Sequence, residues 1–136
     1  MKVILDTNVF VSGIFWSGPP HEILRAWRNR TFELVLSSDI LEEYKRVAAE
    51  LSAKFTAVDL SDFMSLLTVE TSIHSAPSLL HSVCEDPNDD KFIACALANK
   101  VLHIVSGDKA LLKVSGYQKI DIIKPRDFVT RYLGRR

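Results

Sequence analysis

The chain has 136 residues, of which 47% are hydrophobic and 25% charged, and this composition is that of an ordinary globular domain. The 17 Lys and Arg balance the 17 Asp and Glu, and the resulting net charge of zero excludes a nucleic-acid binder that relies on bulk positive charge, but not a local basic patch. No apolar run approaches the roughly 18 to 20 residues that cross a bilayer, and the N-terminus is charged too early for a secretory signal.

Cysteine spacing and sequence complexity indicate the compartment and the domain organisation. Cys84 and Cys95 form no CxxC pair, which argues against a zinc site or a disulfide scaffold and favours a reducing compartment. The sequence contains no repeat, low-complexity tract or Ser/Gly-rich linker. We therefore expect one domain over residues 1–136, located in the cytoplasm and without a membrane partner.

Short aliphatic runs alternate with amphipathic segments along the chain. In chain order we predict a strand at 3–5, a short helix at 8–15, a helix at 20–30, a strand at 32–36, a helix from Ser37 or Ser38 to about 51, a helix at 60–67, a weak strand at 69–74, a helix at 86–98, a strand at 103–105, a short helix at 109–113, a strand at 120–123 and a helix from 125. This alternation predicts a three-layer α/β/α sandwich with a central, mainly parallel sheet.

Two acidic residues directly follow predicted strands. Asp6 follows the first strand, and Asp108 follows the strand at 103–105. Because sites in open parallel sheets form beyond the carboxyl ends of the strands, we expect both side chains at one edge of the sheet. The alternative is that each of them simply caps the helix that comes next.

Two further acids are selected by helix phase. Glu43 borders the apolar stripe of its helix, whereas Glu42 points to solvent, although Glu43 could also be a solvated flank residue. In the helix at 86–98, Asp86 is the expected cap and Asp89 the acid that completes it. Asp90 shares a face with Ile93, Ala94 and Leu97, where an aspartate is costly to bury without a partner, and Lys91 points elsewhere.

Four converging carboxylates would require a counter-ion. At 4 Å, two unit charges repel by about 4 kcal/mol at an effective dielectric constant near 20. If Asp6, Glu43, Asp90 and Asp108 meet, either some are protonated or a hard divalent cation binds. Oxygen ligands favour Mg²⁺ or Mn²⁺ over zinc, and such an ion suits phosphodiester cleavage.

Four segments resemble, in order and spacing, the motifs of the PIN-domain family. They are residues 3–8 (Val-Ile-Leu-Asp-Thr-Asn), 37–44 (Ser-Ser-Asp-Ile-Leu-Glu-Glu-Tyr), 86–94 (Asp-Pro-Asn-Asp-Asp-Lys-Phe-Ile-Ala) and 104–112 (Ile-Val-Ser-Gly-Asp-Lys-Ala-Leu-Leu). Each motif alone is weak, but four in the same order are specific, and the resemblance covers nearly the whole chain. Ser106 stands where threonine is commoner in the family and retains the hydroxyl.

The resemblance implies a PIN-like fold and a Mg²⁺- or Mn²⁺-dependent nuclease. It implies that Asp6, Glu43, Asp90 and Asp108 bind metal and position the attacking water, and that Asn8 and Ser106 support them through hydrogen bonds. Many small free-standing members are RNA-cleaving toxins, so it further implies an RNA substrate, a separately encoded antitoxin and a homodimer.

Two other functions remain open from the sequence. An aspartyl phosphatase of the haloacid-dehalogenase type also begins with a strand and an aspartate, but its Asp-x-Asp-x-Thr pattern lacks the second aspartate in the run from Asp6 to Phe10. A non-catalytic α/β module, whose acids bind one ion for stability, is the third possibility.

Overall fold

The chain alternates strands and helices along the residues that the computed structural model describes, 1–74 and 76–134, with the backbone alone at positions 70, 72 and 74. Within them are five strands: β1 (Lys2–Leu5), β2 (Glu33–Ser37), β3 (Ser72–His74), β4 (His103–Val105) and β5 (Asp121–Ile123). The same residues form seven α-helices: α1 (Thr7–Phe15), α2 (Pro19–Arg28), α3 (Ser38–Lys54), α4 (Ser61–Glu70), α5 (Asp90–Asn99), α6 (Lys109–Leu112) and α7 (Pro125–Tyr132). A 3₁₀ turn, Pro87–Asp89, leads directly into α5.

The strands form one parallel sheet in the order β3-β2-β1-β4-β5. The helices flank this sheet, so the predicted α/β/α architecture with a parallel sheet is confirmed. Starting from β1, the chain adds β2 and β3 on one side of the sheet and then β4 and β5 on the other side. The direction therefore reverses between β1 and β4, and the crevice at their carboxyl ends is where such sheets place ligands.

The central strands are buried because their sequences are continuously apolar rather than alternating, as in sheets covered on both faces. Val3, Ile4 and Leu5 of β1 are fully inaccessible to solvent.

Cys84 and Cys95 are free and buried. In the described part of the chain, none of the helices combines the length and apolarity needed to cross a membrane.

An aromatic stack and one hydrogen bond join α1 and α3 to the end of β1. The rings of Phe10 and Tyr44 are stacked, with centroids 4.3 Å apart and planes inclined by 6°. The Tyr44 hydroxyl donates to the backbone carbonyl of Leu5. These contacts fix the first half of α3 beside the carboxyl end of β1.

One predicted element is wrong in part. Residues 69 and 70 belong to α4 rather than to the strand at 69–74, which is confined to Ser72–His74. Val69 is β-branched, but its side chain is 77% exposed, so it does not mark a buried strand. The assignment of residues 1–136 to a single domain stays a prediction, and its positions 75, 135 and 136 lie outside the described residues.

Candidate functional site

Asp6 lies at the carboxyl end of β1, next to β4. Its backbone N–H donates to the carbonyl of Val105 at 2.9 Å, which continues the pairing of the two strands past their ends. The residue is only 6% exposed, and its Oδ2 accepts a hydrogen bond from the Ser106 hydroxyl at 2.6 Å. The expectation that this carboxylate lies at the sheet edge is confirmed.

Asp108 reaches the same edge from the loop after β4. Its backbone N–H donates to Ser106 Oγ at 3.0 Å, and its Oδ1 accepts from the backbone N–H of Ala110 at 3.2 Å. Asp108 therefore caps α6 at this edge of the sheet. The capping alternative is confirmed, and it uses only one of the two carboxylate oxygens, so the role of Asp108 in a functional site stays a prediction.

Asp89 is the third acid at this edge, although its sequence context predicts only a capping role. Asp89 is 9% exposed and lies close enough to Asp108 for that carboxylate to raise its pKa. Asp6 and Asp108 also act on it through their charges. We call Asp6, Asp89 and Asp108 the acidic cluster.

Asp90 is not brought into the acidic cluster, contrary to the sequence-based expectation. Its Oδ1 accepts from the backbone N–H groups of Val83 and Cys84, at 3.1 and 2.9 Å, and its Oδ2 accepts from the Ser82 hydroxyl at 2.7 Å. Burial disfavours the charged form, but these hydrogen bonds outweigh it and lower the pKa of Asp90. Asp90 therefore anchors the loop at residues 82–84, which precedes the motif. This loop supplies the hydrogen-bond donors for a carboxylate whose role capping does not explain.

The prediction for Asp90 is wrong because a second apolar stripe, next to the expected one on α5, is the more deeply buried. The stripe assigned to the core contained Leu97, whose side chain is 39% exposed. The buried stripe instead continues from Asp89 through Phe92, Ile93 and Ala96, all at most 1% exposed. These residues stand at i+3, i+4 and i+7 from Asp89, so Asp89 is the acid on the core face. The exposure that distinguishes the two stripes is a property of the tertiary structure.

Glu43 lies beside the acidic cluster and is held by three donors. Its Oε1 accepts from Lys91 Nζ at 2.6 Å and from Asn88 Nδ2 at 3.0 Å, and its Oε2 accepts from the Thr7 hydroxyl. Glu43 is 8% exposed, whereas Glu42 is exposed, so the predicted phase of α3 is confirmed.

The two supporting residues predicted from the motifs, Asn8 and Ser106, differ in where they lie relative to the site. Ser106 is fully buried and bonded to both Asp6 and Asp108, as described above. Asn8 is exposed on the first turn of α1, and the neighbouring Thr7 makes the hydrogen bond to Glu43 in its place. Sequence reasoning also passed over Asn88 and Lys91, because a long-range contact to Glu43 leaves no periodic signal.

Charge is unevenly balanced across the site. Burial raises the pKa of Asp6, with a further increase from the charges of Asp108 and Glu43, against the lowering effect of the Ser106 hydrogen bond. Burial, followed by the hydrogen bond and charge of Asp108, raises the pKa of Asp89 to about 7. Burial also acts on Glu43, but the donors, with Lys91 foremost, lower its pKa. Repulsion is therefore concentrated in the acidic cluster.

The donor chemistry of the cluster fits a hard divalent cation. It offers oxygen ligands alone, which suit Mg²⁺ or Mn²⁺ better than zinc. Among residues 1–74 and 76–134, no three His, Cys, Asp or Glu side chains are already grouped to hold an ion. Burial and neighbouring acids raise the pKa of Asp6 and of Asp89, so a positive charge at this edge would relieve the cost of ionising them.

Comparison with known proteins identifies a family and a relative that match most of the chain. A family model described as PIN domain matches residues 2–110. The uncharacterized protein MJ1680 of Methanocaldococcus jannaschii is 30% identical over 145 residues, and the match covers 97% of this chain and 92% of that protein. The span matched by the family model contains the whole acidic cluster and the Glu43–Lys91 pair.

Proposed function

The chain belongs to the PIN-domain family, whose members are generally hydrolytic nucleases, and we propose that it is a Mg²⁺- or Mn²⁺-dependent ribonuclease. The observation that carries the proposal is the acidic cluster, in which Asp6, Asp89 and Asp108 meet at the β1–β4 crevice from three separate parts of the sequence. Family membership favours this activity over the aspartyl phosphatase and the non-catalytic module.

In the proposed site, the three carboxylates of the cluster hold the metal ion. Asp89 replaces the predicted Asp90 as a metal ligand in this proposal. Both carboxylate oxygens of Asp90 already accept hydrogen bonds from the loop at residues 82–84. Glu43, paired with Lys91, would line the neighbouring side of the site. A bound Mg²⁺ or Mn²⁺ lowers the pKa of a water molecule and stabilises charge on the phosphate during hydrolysis.

The surrounding residues hold the carboxylates in place for this chemistry. Ser106 donates to Asp6 and accepts from the backbone of Asp108, so it sets the distance between the two ligands. The backbone N–H of Ala110 fixes the remaining orientation of Asp108. Such restraint reduces the reorganisation that ion and substrate binding require.

The test is cleavage of tRNA, rRNA and mRNA by purified protein with Mg²⁺ or Mn²⁺, beside the variant Asp6→Asn. Asp62→Asn, which changes an exposed aspartate in the first turn of α4, is the matched control. We expect cleavage by the wild type and the control, and a loss of at least about 100-fold in Asp6→Asn, since a ligand carboxylate is removed. Undiminished metal-dependent cleavage by Asp6→Asn would overturn the assignment.

We extend the proposal to the biological setting that the family resemblance implies. In it the chain is a homodimeric, cytoplasmic toxin that is neutralised by a separately encoded antitoxin. The match to the PIN-domain family over residues 2–110 supports this setting. A small DNA-binding protein encoded beside this chain, which copurifies with it and suppresses cleavage, is the expected result. Full cleavage in the presence of such a neighbour would contradict the toxin role while leaving the nuclease in place.

A further inference from the structure

Lys91 and Glu43 form a largely buried ion pair at the border of the acidic cluster. The Lys91 Nζ lies 2.6 Å from Glu43 Oε1, and the two side chains are 17% and 10% exposed. The pair joins α5 to α3 across 48 positions of sequence. Burial on this scale gives a charge pair a fixed geometry, unlike the flexible pairs of a protein surface.

Both carboxylate oxygens of Glu43 already accept hydrogen bonds. Asn88 Nδ2 reinforces Lys91 at Oε1, and the Thr7 hydroxyl occupies Oε2. The more exposed Arg46 adds a weaker contact, with its Nη2 4.0 Å from Oε1. Glu43 is therefore neutralised and hydrogen-bonded within the protein itself.

The acidic cluster is in the opposite condition. Across residues 1–74 and 76–134, none of the ion pairs involves Asp6, Asp89 or Asp108. Asp6 and Asp89 are nevertheless largely buried, at 6% and 9% exposure. Positive charge is thus supplied on the Glu43 side of the site and lacking on the cluster side.

We infer that Lys91 is a positioning residue that takes the place of a second divalent cation beside Glu43, so that the site binds one metal ion, at the acidic cluster. The inference rests on the proposed function. Two-metal sites hold their ions about 3.5 to 4 Å apart and need carboxylates free to contact both. An ammonium group at Glu43 repels a second ion there and uses the oxygen that such an ion would take.

The experiment counts Mn²⁺ ions by the loss of the free-ion electron paramagnetic resonance signal during titration of the full chain. We expect one ion per wild-type chain. Lys91→Met keeps most of the side-chain volume and removes the charge, so we expect a second ion or an affinity for the first raised by at least roughly tenfold, as for one nearby charge. Lys91→Arg should restore the wild-type count.

Lys113→Met is the matched control. Lys113 also pairs with a glutamate, Glu85, at 2.9 Å, but the pair is exposed and separate from Glu43. We expect this variant to bind one ion with wild-type affinity, so that the effect at Lys91 is not a general result of losing a lysine.

The possible outcomes separate the inference from the proposed function. Two ions on the wild type, or wild-type count and affinity in folded Lys91→Met, would overturn the inference while the nuclease assignment stands. A folded wild type that binds no Mn²⁺ would overturn both. If circular dichroism shows that Lys91→Met does not fold, Lys91→Gln replaces it, and the wild-type count still decides between one ion and two.

Discussion

Ser106 donates its hydroxyl hydrogen to Asp6 across 100 positions of sequence, with 2.6 Å between Ser106 Oγ and Asp6 Oδ2. The same oxygen accepts from the backbone N–H of Asp108 at 3.0 Å. Because Ser106 is fully buried, water does not compete for either bond. One hydroxyl group therefore connects the acid after β1 with the acid after β4.

We predict that Ser106→Ala weakens both stability and metal binding. The substitution removes a hydrogen bond to a charged group and leaves the Asp108 N–H without its acceptor, at a cost of roughly 1 to 3 kcal/mol in the free energy of unfolding. Urea unfolding and Mn²⁺ titration measure the two effects. Ser106→Thr retains the hydroxyl and should stay near the wild type. Equal behaviour of the alanine and threonine variants would contradict the role of the hydroxyl.

For Asp89→Asn we predict opposite effects on stability and function. Asparagine carries no charge, so the substitution removes one of three acids that repel one another. We therefore expect a higher melting temperature in the presence of EDTA. The stabilisation that Mn²⁺ gives by binding the folded state should shrink, together with cleavage. Thermal melts with EDTA and with Mn²⁺ test this. A lower melting temperature in EDTA would argue against repulsion within the cluster.

Asp90→Asn, one residue further on, should behave differently. Its carboxylate anchors Ser82, Val83 and Cys84, so we expect a loss of roughly 1 kcal/mol and a lower melting temperature in EDTA. Had Asp90 belonged to the cluster, the same substitution would raise the melting temperature. The same melts, run beside those of Asp89→Asn, discriminate between the two placements, and identical shifts in the two variants would contradict the structure.

The stability of the metal-free protein should fall as pH rises through neutrality. Burial and the neighbouring Asp108 raise the pKa of Asp89 from 3.8 to about 7, so the folded state binds this proton more tightly than the unfolded state. That contribution is complete below the unfolded pKa and is lost as pH rises through about 7. The raised pKa of Asp6 acts in the same direction.

Urea unfolding in EDTA between about pH 5 and about pH 8 measures this dependence. The lowered pKa values of Glu43 and Asp90 have the reverse sign and take effect only at more acidic pH, as each group is protonated. We expect a shallower decline with pH in Asp89→Asn. An unchanged slope in that variant would assign the dependence to other groups.

We predict that Tyr44→Phe destabilises the protein by roughly 1 kcal/mol while leaving the aromatic stack intact. The substitution removes the hydrogen bond to the Leu5 carbonyl but keeps the ring that lies on Phe10. Tyr132→Phe, at a ring that is 38% exposed, is the control. Chemical denaturation of both variants gives the difference, and a loss as large in the control would show that the Leu5 contact contributes nothing.

Much of this site could be predicted from local patterns. Strand ends located Asp6 and Asp108, because the carboxyl ends of parallel strands share one edge. Helix phase selected Glu43 over Glu42, since one is 8% exposed and the other lies in solvent. Phase wrongly selected Asp90 and left Asp89 to capping, because α5 has apolar residues on both candidate faces and the outcome depends on which face is buried in the fold.

The sequence by itself determined the alternation of strands and helices, the parallel sheet, the family resemblance and two of the three acids in the cluster. These are carried by hydrophobic periodicity and by residues adjacent to strand ends, which are local properties of the chain. Only the tertiary structure decided that Asp89 faces Asp108, that Asp90 binds a loop and that Lys91 pairs with Glu43. Such contacts depend on burial and on distances between residues remote in sequence, and no periodic pattern records them.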